Sequence, residues 1–325
     1  MRVVVLAAVA ATAAAVGLRT QYADYDKLCK ATANGTVPEA QTHRRKKVLL
    51  NLHFQHGAGT YFCHLAKVNC ERVWGSACNH YGDGGTSPHH IIVRDCAERR
   101  HEITVSKPSF VGLERGILSG EWCPDLYDYV VIVREPVSRH LSRRVIWGTN
   151  KKILDALREL LPLVGPPGAA GAVAPADVGR RDSILSRLRD AEEAAQVAQL
   201  DNFYTRALAA NTSVYEGAFG ATCTSDLDTA LARLETFKFV TSLDYINDHT
   251  ADARRLFRHS VLGWPNFSNA AINEHHTGEK APTDSLSTAE LALLADLNEL
   301  DRAVWAYADR RALREGLEVL ALLNR

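Results

Sequence analysis

Residues 47–63 read KVLLNLHFQHGAGTYFC and decide the fold of this chain. They open with a short apolar run at residues 48–52, which has no helical periodicity and therefore predicts a buried β-strand. A loop of small residues, HGAGT, follows at positions 56–60, and an apolar segment with helical character begins at Tyr61. This order of strand, small-residue loop and helix is typical of an anion-binding turn, because backbone N–H groups at a helix N-terminus can close on a phosphate.

The loop does not have the sequence of a Walker A phosphate-binding loop. That motif ends in Gly-Lys-Ser/Thr, whereas this loop ends in Gly59-Thr60-Tyr61 and carries no lysine. An ordinary ATP or GTP enzyme is therefore disfavoured, and a nucleotide kinase of related architecture is the weaker alternative. A lone Gly-x-Gly also occurs in ordinary βα turns, so a phosphate site needs support from a second stretch.

Residues 129–142, YVVIVREPVSRHLS, supply that second stretch. The apolar run predicts another buried strand, and Arg134 follows it at the carboxyl end, where open α/β sheets bind ligands. Pro136 suits the first turn of a helix, and Ser142 lies eight residues after Arg134, about two helical turns along. An arginine and a serine hydroxyl so placed can share one phosphate, the arginine through a forked, charge-assisted contact.

Together the two stretches resemble the phosphate-binding motifs of the sulfotransferases that use 3′-phosphoadenosine-5′-phosphosulfate (PAPS). Residues 53–60, HFQHGAGT, are similar to the H-x-x-K-T-G-G-T loop that holds the 5′-phosphosulfate in that family. Residues 134–142, REPVSRHLS, are similar to its R-D-P-V-x-R-x-x-S motif, which holds the 3′-phosphate. The chain most resembles the Golgi carbohydrate sulfotransferases, especially the heparan sulfate 6-O-sulfotransferase type.

The predicted elements alternate between strands and helices, which implies an α/β fold with a mainly parallel central sheet and helices on both faces. Weaker similarities extend the resemblance over residues 47–311 and imply a three-layer α/β/α, P-loop-like sulfotransferase fold. Strands are predicted at residues 48–52, 91–93, 109–113, 127–134 and 237–241, with further β-favouring residues at 103–105. Helices are predicted at residues 61–70, 136–147, 152–161, 183–198, 200–210, 227–234 and 245–257. One long helix opens at a capping box of Ser287 and Glu290.

The resemblance also implies which residues bind PAPS as co-substrate. No obligatory metal is expected, because a sulfuryl group carries less charge than a phosphoryl group. The loop backbone is expected to hold the 5′-phosphate, and Arg134 with Ser142 the 3′-phosphate. Residues 273–283 weakly resemble a late loop that closes over PAPS, although a plain surface loop is the alternative. The expected co-substrate-binding residues are therefore His56, Gly57, Ala58, Gly59, Thr60, Tyr61, Arg134, Ser142 and Lys280.

His56 is the expected catalytic residue of the loop, and it departs from the family pattern. The family has a lysine there, which bridges the leaving phosphate and the sulfuryl group. A histidine side chain can supply the same charged hydrogen bond only when its imidazole is protonated. The ordinary pKa of histidine is about 6.5, and adjacent phosphates favour the charged form. An inactive relative that still binds PAPS or a glycan is therefore the main alternative to an enzyme.

Sulfuryl transfer also needs a general base to take the proton of the acceptor hydroxyl. Glu114 follows the apolar residues 110–113, where a strand end would present its carboxylate. A solvated loop carboxylate is the ordinary alternative for Glu114. The rival bases are His89, His90 and His101.

Composition sets the broad class of the protein. The chain has 325 residues, of which 38 are Lys or Arg and 38 are Asp or Glu, so its formal net charge is zero. A general nucleic-acid binder is disfavoured by that balance. The expected partner is a glycan or glycoprotein acceptor, whose hydroxyl receives the sulfuryl group, and a disulfide-stabilised secreted interaction module is a further alternative.

The N-terminal sequence predicts a secretory route. Residues 1–19 are expected to be a signal anchor or a cleaved signal peptide, because they have a short positive start and an uncharged, Ala-rich apolar run. Residues 20–43 are expected to form a stem and residues 44–325 the sulfotransferase domain, with a low-complexity insertion at 163–180. The resemblance favours the Golgi lumen and a type II membrane protein, and secretion after cleavage is the alternative.

The cysteines and glycosylation motifs fit the same route. Seven cysteines suit an oxidising lumen, with several disulfides and one thiol left over. A zinc site is the rival explanation, but the chain contains no C-x-x-C pair. Three N-x-S/T motifs begin at Asn34, Asn211 and Asn266 and are candidate glycan sites.

Overall fold

A computed structural model describes residues 47–54, 58–74, 78, 95–118, 120–147, 159, 201–209, 222–249, 251–253, 256, 264 and 286–323. The strands in these ranges are β1 (Val48–Leu52), β2 (Phe110–Leu113), β3 (Tyr127–Val133) and β4 (Phe239–Ser242). The helices are α1 (Gly59–Val68), α2 (Cys96–Ser106), α3 (Pro136–Trp147), α4 (Phe203–Ala209), α5 (Thr224–Thr236), α6 (Leu243–Asp248), α7 (Thr288–Asp296) and α8 (Glu299–Leu323).

The four strands form one sheet in the order β2-β1-β3-β4, and every neighbouring pair is parallel. Leu52 at the end of β1 stands opposite Leu113 of β2 and Val131 of β3. The chain therefore leaves β1 toward one side for β2 and returns to the other side for β3. This confirms an α/β fold with a parallel sheet, and it makes the gap between β1 and β3 the point where the strand order reverses.

Both faces of the sheet are buried under helices. In β1, all of whose residues are buried, Leu49 belongs to one apolar core and Leu50 to the other, as the period of two in a strand requires. One core includes α4 and α5, and the other includes α1 and α6. Helix α8 serves both cores, because Val304 packs in the first and Val319 in the second.

Two sequence-based predictions of secondary structure were wrong. The β-favouring residues 103–105 lie in helix α2, because Asp95 and Glu98 form a capping box that starts a helix upstream of them. The single long helix predicted after Ser287 is two helices, α7 and α8. The turn between them contains Asn298, whose side chain donates to the Leu294 carbonyl at 2.8 Å. The Ser287 capping box itself is confirmed.

The other predicted elements agree with the structure except at their ends, apart from the helix predicted at 245–257. That helix is interrupted, because α6 covers only Leu243–Asp248 and is capped at His249 before a further helical stretch at 251–253. Helix α3 has the predicted bounds, and α1 begins two residues before the predicted Tyr61, at Gly59. The predicted strand at residues 91–93, the helix at 183–198 and the insertion at 163–180 lie outside the described residues. So does the predicted helix at 152–161, apart from Glu159.

Disulfides join Cys63 to Cys78 and Cys96 to Cys123, and Cys70 is also disulfide-bonded. Cys223 is a free, exposed thiol. Several disulfides with one free thiol are thus confirmed among the described cysteines, and such bonds are typical of an extracellular or lumenal compartment. Within the described ranges no helix has the length and apolar character needed to cross a membrane. The predicted anchor at residues 1–19 lies outside those ranges.

Candidate functional site

The two predicted phosphate motifs leave the sheet from neighbouring strands and at the same edge. β1 ends at Leu52 and leads to α1, while β3 ends at Val133 and is followed directly by Arg134. β3 extends two residues further than β1, because Leu52 is level with Val131. Both motifs therefore lie where the strand order reverses, which is where open α/β sheets bind their ligands.

Helix α1 has no capping side chain among the described residues. Its N-cap residue, Ala58, has the left-handed backbone angles φ 61° and ψ 25°, and the first turn contains no acidic residue. Other helices in the described part of the chain have polar caps, such as Asp95 for α2 and Ser287 for α7. Within the described ranges, no capping side chain and no first-turn carboxylate meets the start of α1, and such a helix N-terminus suits an external anion.

His53 packs directly against Gly59. A Cβ atom built on Gly59 would overlap the His53 ring, so His53 can pack against the start of α1 only with glycine at position 59. The backbone N–H of His53 donates to the Leu113 carbonyl at 2.9 Å and extends the β1–β2 pairing by one step. His53 is therefore anchored to β2 as well as packed against the start of α1. Thr60 is exposed in the first turn of α1, whereas Tyr61 is buried.

Arg134 is partly buried, and its backbone is held by a residue far away in sequence. The Tyr204 hydroxyl donates to the Arg134 carbonyl at 2.9 Å and accepts from the Arg134 N–H at 3.2 Å. Burial lowers the pKa of the Arg134 guanidinium, while Tyr204, Asp244 and Glu135 oppose that effect. The guanidinium keeps its charge, because the ordinary pKa of arginine lies far above neutral pH.

Glu135 caps the helix that follows. Its carboxylate accepts from the backbone N–H groups of Val137 at 3.1 Å and Ser138 at 2.6 Å. The N-terminus of α3 is therefore already matched to a negative charge. A phosphate beside Arg134 would have to rely on side chains such as the guanidinium and the Ser142 hydroxyl. Ser142 lies partly buried in the second turn of α3.

Glu114 follows β2 directly, as predicted, and is partly exposed. It stands at the same edge as His53, because the β1–β2 register continues past Leu113. The next residue, Arg115, is fully buried and makes a forked contact with Glu121 at 2.6 and 2.7 Å. This buried pair fixes the backbone from which the Glu114 carboxylate projects.

Several predicted site residues lie outside the described residues. They are His56, Gly57, Lys280, His89 and His90. The remaining rival base, His101, is exposed in the middle of α2. In the described ranges, no three His, Cys, Asp or Glu side chains converge in a way that could hold a metal ion.

Two residues near Arg134 were missed by sequence reasoning. Tyr204 lies in a segment that the family resemblance covers, yet nothing local marks its hydroxyl as a contact of Arg134. Asp244 sits in the first turn of α6, just beyond the end of β4, and accepts from the Trp305 indole N–H at 2.8 Å. Asp244 could have been predicted as a site residue from its place just after a strand end, which is also the place of Arg134 after β3.

Comparison with protein-family models, with curated proteins and with solved structures finds no match to this chain. The chemistry of the site is therefore inferred from its own residues. Those residues are a loop without acidic groups at the end of β1, a partly buried arginine at the end of β3, and a carboxylate at the end of β2.

Proposed function

We propose that this chain is a PAPS-dependent sulfotransferase whose acceptor is a hydroxyl of a glycan or glycoprotein. One observation carries the proposal. The stretches that resemble the 5′-phosphosulfate and 3′-phosphate motifs follow β1 and β3, the neighbouring strands between which the sheet order reverses. A ligand with phosphate groups at two positions could span that gap, and a Walker-type triphosphate site is not expected from this sequence.

The loop after β1 has the properties that a 5′-phosphosulfate needs. Ala58 adopts a left-handed conformation, Gly59 has no side chain, and no acidic residue occupies the first turn of α1. The N–H groups of Gly59, Thr60 and Tyr61 would then face the anion, and the Thr60 hydroxyl is exposed and available as a further donor.

The end of β3 has the properties that a 3′-phosphate needs. Arg134 brings a charge that is partly shielded from water, which strengthens a hydrogen bond to an anion. Because Glu135 already neutralises the start of α3, we assign the 3′-phosphate to the side chains of Arg134 and Ser142 rather than to that helix terminus.

PAPS supplies an activated sulfuryl group, and its transfer to the acceptor oxygen releases 3′,5′-ADP. Glu114 is proposed to take the proton of the acceptor hydroxyl. His56, as an imidazolium, is proposed to donate a hydrogen bond to the leaving phosphate together with the loop N–H groups. Lys280 is proposed to close over the same phosphates. No metal is required by this scheme, because the sulfuryl group carries less charge than a phosphoryl group.

The proposed setting is the Golgi lumen, with residues 1–19 as the anchor of a type II membrane protein. Two disulfides in the described domain support an oxidising compartment. Secretion after cleavage of the same segment is the alternative. Expression of the chain with a C-terminal tag separates the two, since an uncleaved anchor keeps the tagged protein in the membrane fraction.

The main test is calorimetric titration of the full chain with 3′,5′-ADP. We expect micromolar binding by the wild type and about a 10- to 100-fold weaker affinity in Arg134→Ala, the size expected when charged hydrogen bonds are lost. The matched control is Arg72→Ala, since Arg72 is exposed beside the amino end of β2, at the opposite edge of the sheet. No binding by folded wild type overturns the proposal.

A second candidate, an inactive PAPS- or glycan-binding relative, is favoured by the histidine at position 56. Transfer of radiolabelled sulfate from PAPS to glycan acceptors decides between the two. An active wild type whose transfer rate falls in Glu114→Gln supports the enzyme. So does a transfer rate that rises at acidic pH, because His56 must be protonated. A wild type that binds 3′,5′-ADP but transfers nothing, and becomes active as His56→Lys, supports the inactive relative.

A further inference from the structure

Tyr204 bridges both backbone groups of Arg134. Its hydroxyl donates to the Arg134 carbonyl at 2.9 Å and accepts from the Arg134 N–H at 3.2 Å. The β3–β4 pairing ends at Val133 opposite Ser242, so Arg134 is the first residue beyond the ladder. The Tyr204 hydroxyl therefore bonds the backbone just after β3, at the first residue that β4 no longer pairs with.

The Tyr204 side chain is itself held in the buried core. It is fully buried, its ring centroid lies 5.1 Å from that of Phe54, and the guanidinium of Arg139 lies 5.2 Å from the centre of the ring. At the other end of the residue, the Tyr204 backbone N–H donates to the Asp301 carboxylate at 2.9 Å. The hydroxyl is thus presented to Arg134 from a rigid support rather than from a mobile surface group.

The protonation state of Tyr204 suits this double role. Burial raises the pKa of the Tyr204 hydroxyl well above its ordinary value. The hydroxyl therefore stays neutral at any physiological pH and can donate one hydrogen bond while it accepts another.

We propose that Tyr204 is a positioning residue for ligand recognition, which fixes the backbone of Arg134 so that its guanidinium is preset for a terminal phosphate. This inference rests on the proposed function, and it deepens it by assigning recognition of the 3′-phosphate partly to a residue that never touches the nucleotide. A preset arginine loses less conformational freedom when the phosphate binds, so affinity for that one group should depend on the tyrosine hydroxyl.

The test compares two nucleotides that differ only in the 3′-phosphate. Tyr204→Phe keeps the ring and removes the hydroxyl. We expect its affinity for 3′,5′-ADP to fall about tenfold, the size expected for one to two lost hydrogen bonds. The affinity for AMP, which lacks the 3′-phosphate, should not change. The ratio of the two affinities therefore falls by the same factor, which a general loosening of the fold would not produce.

Tyr129→Phe is the matched control. Tyr129 is also a buried tyrosine on the same face of the sheet, and its hydroxyl accepts from the Cys123 N–H at 2.9 Å, away from Arg134. We expect a stability loss with an unchanged affinity ratio. In the Arg134→Ala background, Tyr204→Phe should have no further effect on 3′,5′-ADP, because the group it positions is gone.

A readout without nucleotide tests the positioning itself. Hydrogen–deuterium exchange should speed up at the Arg134 amide in Tyr204→Phe and stay unchanged in Tyr129→Phe. Replacement of Tyr204 by 4-aminophenylalanine keeps a donor at the same place and should restore slow exchange and most of the affinity ratio. This variant also carries the comparison if Tyr204→Phe does not fold.

The outcomes separate the two proposals. Wild type that fails to bind 3′,5′-ADP overturns the proposed function, and the ligand role of Tyr204 with it. Wild type that binds, with an unchanged affinity ratio or unchanged Arg134 exchange in Tyr204→Phe, overturns only the inference. Equal losses for 3′,5′-ADP and AMP also overturn it, since they indicate a merely structural role.

Discussion

Asn202 caps helix α8 and Asp301 caps helix α4, and each residue lies at the start of the helix that the other one caps. The Asn202 side-chain oxygen accepts from the N–H groups of Leu300 at 2.9 Å and Asp301 at 3.2 Å, in the first turn of α8. In return, the Asp301 carboxylate accepts from the N–H groups of Tyr204 at 2.9 Å and Thr205 at 2.8 Å, in the first turn of α4. Two helices that are far apart in sequence are therefore started by each other's side chains.

Asn202 should be sensitive to substitution for two separable reasons. It caps α8, and its backbone has a φ of 47°, which asparagine and glycine tolerate better than alanine. We expect Asn202→Ala to lower the free energy of unfolding by about 2–3 kcal/mol and Asn202→Gly by only about 1 kcal/mol. Urea titration of both variants measures the difference. Equal losses would show that the backbone conformation contributes nothing.

Asp301 should make stability depend on pH between about 4 and 6. Burial raises the pKa of Asp301 to about 6, although its hydrogen bonds to α4 act in the opposite direction. The folded chain then binds a proton more tightly than the unfolded chain, so stability rises as the pH falls through this range, by up to about 1.4 kcal/mol per pH unit.

The measurement for Asp301 is the free energy of unfolding from pH 4 to 7, in wild type and in Asp301→Asn. Asparagine keeps the shape and an acceptor oxygen but does not titrate. The wild-type free energy of unfolding minus that of Asp301→Asn should fall as the pH rises. This difference isolates the contribution of the one carboxyl group. A flat difference curve contradicts a raised pKa.

Gly59→Ala should destabilise the chain through His53 alone. The new methyl group would overlap the imidazole, and such overpacking costs about 1–3 kcal/mol. In a His53→Ala background the same substitution should be neutral or stabilising by up to about 1 kcal/mol, because alanine favours a helix more than glycine does. A double-mutant cycle on unfolding free energies shows this reversal of sign. The same loss in both backgrounds would mean that the imidazole does not pack there.

Glu121→Gln should be among the most damaging changes of a single charge. The carboxylate pairs with buried Arg115 at 2.6 Å and with buried Arg99 at 3.1 Å. Neutralising it removes the negative charge closest to both buried guanidinium groups, although Arg99 keeps Glu102 at 3.8 Å, and breaking a buried pair in this way costs about 3–5 kcal/mol. The matched control is Glu315→Gln. That variant breaks the less buried pair with Arg311 and should cost less than about 1 kcal/mol in urea unfolding.

The central part of the fold was readable from the sequence because its signals are local. β1 and β3 are covered on both faces and therefore appear as continuous apolar runs. Helix α3 has the predicted bounds, since Pro136 marks its first residue. Both motif stretches could be placed at strand ends for the same reason, and so could Glu114.

The elements that sequence reasoning missed depend on partners distant in the chain. Residues 103–105 favour a strand by themselves, yet they form the end of a helix that starts at Asp95 and packs Ile103 against the core. The contact of Tyr204 with Arg134 spans 70 residues of sequence, and a hydrogen bond over that separation leaves no periodic pattern. Propensity and spacing report on neighbours along the chain, whereas these features report on neighbours in space.

Helix α8 belongs to both apolar cores, and this has a consequence for how the chain acquires its structure. Neither layer is complete until α8 has been synthesised, although β1 and α1 emerge from the ribosome much earlier. The early strands therefore have exposed apolar faces and unpaired edges until α8 is present, and such segments are prone to aggregate. We expect nascent chains that lack α8 to be bound by chaperones.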